Sequence, residues 1–241
     1  MAGNAKAHAG QGVDLAPAST GTPQPRSELT GDAVYRMMRD DIVAGRRMPN
    51  ERLIEADLAA AMNVGRAAIR SCLVRLEQDG LVVREPNRGA RVRMVTEAEA
   101  TEILQTRAVL EGLVAREAAV RATPEAVAEM REILIEMQTC IEADDLLGYS
   151  DGNARLHATI VRTSEHQTAA RLIAGLKAQV VRFQYRTILV PGRSRGSLRE
   201  HTLIVDAIAA GDPERAEAAM RAHLSHVAGT IKESPHLPDG F

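Results

Sequence analysis

Aromatic side chains are scarce in these 241 residues: they make up 2%, with no tryptophan at all. A chain so poor in rings and so rich in Ala, Leu, Arg and Glu favours helices over sheets. Only two cysteines are present, Cys72 and Cys140, which excludes a disulfide framework. No apolar run approaches the roughly 18 residues of a membrane helix, and the N-terminus lacks the apolar centre of a signal peptide. The expectation is a cytoplasmic protein with no membrane partner. An excess of charge of one sign is missing too. The formal net charge is −2, so the whole chain gives no hint of nucleic acid. What remains is 45% hydrophobic and 26% charged, ordinary for a soluble globular protein of one large or two modest domains.

The most patterned stretch runs from Glu51 to Gly80. Leu53, Ile54, Leu58, Ala61 and Met62 recur at helical spacing, and Asn63-Val64-Gly65 interrupts them with turn-tolerant residues. A second helix is expected from about Arg66 to Gln78. It would bury Ala68, Ile69, Cys72, Leu73 and Leu76, which gives Cys72 a packing role. At 3.6 residues per turn, Ala67, Arg70, Ser71 and Val74 fall on the opposite face, with Arg66 at the helix entrance. Gly80 is a stop signal. A helix–turn–helix lays the N-terminal end of its second helix in the major groove, where arginines grip guanine or phosphate. A plain helical hairpin with a solvated arginine face would show the same pattern.

The next residues separate the two. Leu81–Arg84 and Arg91–Val95 are β-prone runs around Glu85-Pro86-Asn87-Arg88-Gly89-Ala90, a hairpin signal. A helix–turn–helix followed by a basic hairpin is a winged helix. Arg66 to Arg93 carries seven basic residues against three acidic, whereas 96–241 carries sixteen against twenty-one. The basic part has the sign that DNA requires.

Residues 1–27 are rich in Gly, Ala, Pro, Ser, Thr and Gln and are expected to form a disordered arm. Thr30 can cap a helix to about Ala44 with Val34, Met37, Met38 and Ile42 inward and Tyr35, Arg36 and Arg39 outward. The winged domain then spans 28–95. Thr96-Glu97-Ala98-Glu99 is a capping box, and helical periodicity holds from there. Helices are expected at about 97–121, 124–143, 145–163, 167–190, 197–210 and 213–232. Pro191–Gly196 is the clearest internal loop, and 233–241 a frayed tail. The fold class is mainly α: a winged helix–turn–helix followed by an all-helical bundle over 96–232.

Six histidines fall in the helical half. His157 follows Asn153 by four residues, so both share a helix face, while His201 and His223 belong to two other helices. Three imidazoles and one oxygen suit a Zn²⁺-like ion within a bundle, though each histidine alone is more often a core or surface residue. His166 and His226 fit the pattern less well. No HExxH motif offers a general base, which disfavours a metal-dependent hydrolase.

Residues 29–95 resemble the DNA-binding domain of the GntR family of bacterial transcription regulators. The matching residues are Ile42–Gly45, Met48–Leu53, Asp57-Leu58-Ala59, Val64-Gly65-Arg66, Ile69-Arg70, Leu73, Leu76-Glu77, Gly80-Leu81 and Pro86–Ala90. The resemblance implies that Arg66 and Arg70 contact DNA together with the wing tip Arg88-Gly89, with Ala67 and Ser71 on the same face. Two positions depart from the family: Gly65 stands where Ser or Thr is usual and Ala67 where Thr is frequent. Each loses a hydroxyl, so the expected operator preference is unusual.

Residues 96–232 resemble the FCD ligand-binding domain of the FadR-like branch of that family. Arg107 with Leu110-Glu111-Gly112, Asn153–His157, Glu200-His201, and Met220–Leu224 carry the likeness. It implies a divalent metal on Asn153, His157, His201 and His223, zinc first, with nickel or manganese as alternatives. Asp is usual where this chain has neutral Asn153, which implies a weaker site. The resemblance also implies a small carboxylate effector held by Arg107 beside the metal, a homodimer, and a palindromic double-stranded operator. The expected function is therefore a ligand-controlled regulator, a repressor by preference, and not an enzyme. The alternatives are a metal-dependent enzyme with a vestigial winged helix and a regulator that senses the metal ion itself.

Overall fold

The computed structural model describes Met1, residues 30–85 and residues 88–233, with the backbone alone for Gln184 and Tyr185. The expected arm over 1–27 apart from Met1, the wing residues Pro86 and Asn87, and the expected tail past Glu233 lie outside the described residues.

The N-terminal part is built from α1 (Gly31–Val43), β1 (Arg52–Leu53), α2 (Glu55–Met62), α3 (Arg66–Gln78), β2 (Val82–Glu85) and β3 (Gly89–Val92). The Thr30 hydroxyl accepts from the Ala33 N–H and caps α1. The strands form one antiparallel sheet in the order β1-β3-β2, with Leu53 opposite Ala90 and Val82 opposite Val92. Leu53 was expected in a helix; instead its pairing with β3 makes it part of a third strand. The helix starts only at Glu55, and Ile54 at its N-cap is 44% exposed. Met37 and Ala61 also turn outward, because the core is closed by Val34, Met38, Ile42, Leu58, Ile69, Leu73, Leu76 and Val92.

The rest of the described chain is helical: α4 (Glu97–Arg121), α5 (Pro124–Glu142), α6 (Leu146–Thr163), α7 (Gln167–Gln179), α8 (Val181–Ile188), α9 (Arg193–Ala209) and α10 (Pro213–Glu233). Thr96 and Thr123 cap α4 and α5 through the N–H groups of Glu99 and Ala126, and Pro124 takes the first helical position. Asp145 caps α6 through Gly148. α10 packs along α4, and α5 along α6. Met130, Met137, Leu156, Ile160, Ile204, Ile208 and Met220 are shut from solvent in the principal core. Truncating one of them costs about 2–5 kcal/mol.

Two expectations fail here. The single helix over 167–190 breaks at Val180, whose N–H bonds to the Lys177 carbonyl three residues back. The expected loop at 191–196 is mostly helix: the turn after α8 ends at Gly192, at φ +77°, and α9 starts at Arg193. Among the described residues no helix is long and apolar enough to cross a membrane.

Candidate functional site

Two places gather the residues singled out in the sequence. The first is the outer face of α3. Arg66, Ala67, Arg70 and Ser71 are all exposed on it, while Ile69, Cys72, Leu73 and Leu76 hold the helix to the core. Gly65 sits at the N-cap and offers no side chain to cap the helix, so the Arg66 and Ala67 N–H groups have no side-chain cap. Arg70 is not idle: its Nε donates to Glu55 Oε2 of α2 at 2.7 Å. That pair is exposed and so is worth about 1 kcal/mol or less. A phosphate or guanine can replace the carboxylate at little cost.

Arg88 is exposed at the wing, next to Gly89. Gly89 has a plain structural reason. Its φ is +86°, and a Cβ there would fall 2.3 Å from the Leu53 carbonyl oxygen. The hairpin crosses β1 too closely for any side chain.

The second place is inside the helical domain. His157 on α6, His201 on α9 and His223 on α10 meet with ring centroids 4.4–5.4 Å apart. One ring nitrogen from each lies within 4.8 Å of the others, and all three residues are buried. His157 Nδ1 lies 2.7 Å from Glu111 Oε2, and His223 Nδ1 lies 2.7 Å from Glu200 Oε2. Burial pushes the His157 imidazole down to about 4, against the pull of Glu111, so it is neutral near pH 7. Burial lowers His201 and His223 as well. A neutral ring that bonds a carboxylate donates from Nδ1, which leaves Nε2 as an open lone pair. His201 is the exception: it is fully buried and neither ring nitrogen has a hydrogen-bond partner.

Burial alone would raise Glu111, but Arg107 and His157 reverse this and hold it well below the usual carboxylate range. Burial opposes Glu200 too, yet His223 and Arg193 bring it to about 2. Both carboxylates are therefore ionised supports for neutral imidazoles. Beside the histidines lies a cavity of about 60 Å³, lined by Arg107, Asn153, His157, Lys177, Arg193 and His223 with several apolar residues. Asn153, half-buried, is thus brought to the same space as two of the histidines. Arg107 is there as well, but its guanidinium is bound to Glu111 through Nε at 2.8 Å and Nη2 at 2.7 Å. His226 bonds Glu200 from the surface at 2.9 Å, and His166 caps α7 by accepting from the Ala169 N–H.

Glu111, Glu200, Arg193 and Lys177 carry no role in the sequence reading. A signal existed for the two acids. Glu111 follows Arg107 by one helical turn, and Glu200 adjoins His201. Lys177 left none, since its cavity position depends on where α7 stops.

A winged helix with an outward arginine face, joined to a helical domain with a small polar cavity, is the build of a DNA-binding transcription regulator. Residues 30–92 match the bacterial regulatory proteins of the gntR family, and residues 102–226, more than half of the chain, match the FCD domain. The chain belongs to the GntR family of bacterial transcription regulators, in the group with a C-terminal FCD domain. It is 27% identical over 200 residues to the HTH-type transcriptional repressor RspR of Escherichia coli K12, covering 83% of this chain and 88% of that one. It is 29% identical over 220 residues to a protein described as a probable D-xylose utilization operon transcriptional repressor of Paenarthrobacter nicotinovorans, covering 88% and 93%. Among solved structures, E. coli McbR/YncC shares the fold with a TM-score of 0.70 at 21% identity, over 84% of this chain and 97% of that one. The family and the two repressor-named relatives are transcription regulators rather than enzymes.

Proposed function

We propose that the protein is a homodimeric repressor whose hold on a palindromic operator is set by a small carboxylate bound beside a divalent metal in the helical domain. The observation that carries the sensor half is His201. A buried imidazole with both nitrogens unpartnered carries a desolvation cost that a metal ion removes. His157 and His223, each steadied by a carboxylate at Nδ1, supply two further nitrogens, and Asn153 an oxygen. Imidazole ligands suit zinc and nickel, while the Asn153 oxygen is the donor type that manganese would prefer. The metal would leave positions open for an anion. Since one water needs about 10–15 Å³, the cavity of about 60 Å³ suits a small molecule rather than a nucleotide.

The DNA half rests on the exposed face of Arg66, Ala67, Arg70 and Ser71, with Arg88 at the wing. Two copies related by a two-fold axis would place two such helices in successive major grooves. An effector that fits one arrangement of the dimer better shifts the population and with it operator affinity. The test is capture of genomic DNA by the purified protein, followed by operator titration with metal, chelator and small carboxylates. A carboxylate that changes operator affinity by about 5–150-fold supports the reading. Release by chelator alone makes the metal the signal. Affinity indifferent to every ligand overturns the sensor.

A further inference from the structure

The cavity and the DNA-binding domain share one short segment of chain, residues 177–182, around the break between α7 and α8. Lys177 and Val180 line the cavity. Ala178 belongs to the apolar core cluster of the winged domain and lines a cleft with Ile42, Leu81 and Val92. Gln179 Oε1 accepts from Arg93 Nη1 at 3.0 Å, and Arg93 also pairs with Glu99 at the start of α4. Gly80, which follows the C-cap of α3, has φ +70°, and a Cβ there would sit 2.9 Å from the Gln179 side chain. Val181 and Arg182 line a second cleft, shared with Ile42, Pro49, Leu81 and Arg93 of the winged domain. The segment therefore alternates between the two: cavity at 177 and 180, DNA-binding domain at 178, 179, 181 and 182.

The charges of the cavity point to the same segment. Its lining holds three cations, Arg107, Lys177 and Arg193, and no carboxylate. Glu111 neutralises Arg107 and Glu200 neutralises Arg193, at 2.7 and 3.0 Å. Lys177 has no ion pair of its own among the described residues: burial works against its charge, and Glu111, whose field opposes that, is already bonded to Arg107 and His157. An anion entering the cavity meets one uncompensated positive charge.

We propose that Lys177 holds the anionic group of the effector, and that residues 177–182 pass the resulting shift to the end of the recognition helix through Gln179. This rests on the sensor reading above and adds the residue that sets the sign of the ligand and the route by which it acts. A carboxylate on Lys177 moves the last turn of α7. Ala178 and Gln179 are one and two residues further on, already seated against the winged core and Gly80, so the same movement tilts α3 relative to the helical domain.

The experiment uses full-length, zinc-loaded protein with L-lactate, succinate and citrate as mono-, di- and trivalent probes, read by calorimetry and by operator anisotropy. Lys177→Gln should weaken the tightest probe about tenfold or more, and Lys177→Arg should restore most of it. Gln179→Ala should bind that probe as the wild type does, while operator affinity no longer responds to it. If Lys177→Gln binds as well as the wild type, the proposal fails and the sensor reading stands. If Gln179→Ala keeps the operator response, the route fails. If the wild type binds the operator but none of the three anions, the cavity is not a carboxylate site, and both readings fall.

Discussion

Arg107 and Glu111, one turn apart on α4, form an ion pair at 2.7 Å with side chains only 7% and 1% exposed. The pair changes what Arg107 does. In the sequence it stands as a free cation waiting for an effector. In the structure its charge is spent on Glu111, which in turn fixes His157. Arg107 both lines the cavity and braces Glu111, and its remaining N–H groups can still orient a ligand.

Arg107→Met should therefore damage the fold before it damages binding. It leaves Glu111 buried without its counter-charge, a loss of about 3–5 kcal/mol. Arg107→Met with Glu111→Leu should recover part of that. Urea unfolding of the three proteins checks this, and a single mutant as stable as the wild type would contradict it.

Arg66 and Arg70 are exposed, so Arg66→Ala should leave the melting temperature unchanged and Arg70→Ala should lower it slightly at most, while each costs about 1–3 kcal/mol of operator binding. Glu55→Gln should bind the operator at least as well as the wild type, since it releases Arg70 from its resting partner. Operator anisotropy separates these outcomes. Weaker binding by Glu55→Gln would mean that the pair holds Arg70 in its binding pose.

Much of this was legible in the residues themselves. The bounds of α3 follow from Gly65, Gly80 and the spacing of Ile69, Leu73 and Leu76. Thr30, Thr96 and Thr123 mark helix starts because a hydroxyl ahead of an apolar period has an N–H to accept from. His157, His201 and His223 were singled out as one set and do meet. What stayed hidden depends on tertiary contact. A two-residue strand such as Arg52–Leu53 has no periodicity of its own and exists because β3 lies beside it. The break at Val180 contains neither Gly nor Pro, and it falls where successive side chains pack on different domains, Ala178 in the winged core and Val180 in the cavity. At 191–196 the Pro and Gly signal was real but shorter than its composition suggested, since the residues after Gly192 are able to coil.

The two wing residues should fail differently. Gly89→Ala places a methyl 2.3 Å from the Leu53 carbonyl at a φ of +86°, so it should lower the melting temperature and weaken DNA binding together. Arg88→Ala should weaken DNA binding alone. A Gly89→Ala protein of unchanged stability would mean that β1 can withdraw from the hairpin.

Acid should destabilise the metal-free protein. His157 is held to about 4 when folded, against about 6.5 in an unfolded chain, and His201 and His223 are lowered in the same direction. Below about pH 6.5 the unfolded chain takes up protons that the folded one refuses, so stability falls as pH falls. Glu200, at about 2, adds loss of the same sign once pH drops below the usual carboxylate value. Urea midpoints of chelator-treated protein at about pH 7.5, 6 and 5 should decline in that order. Midpoints that hold steady would mean that the three rings protonate within the fold.

The most direct test of the whole account is the metal content of the purified full-length protein beside His201→Ala, with added zinc followed by thermal melting. The histidine cavity predicts about one ion per chain in the wild type, none in the variant, and a zinc-dependent rise in melting temperature in the wild type alone. No metal in either protein, and no rise with zinc, would make the three histidines structural and remove the sensor from this cavity.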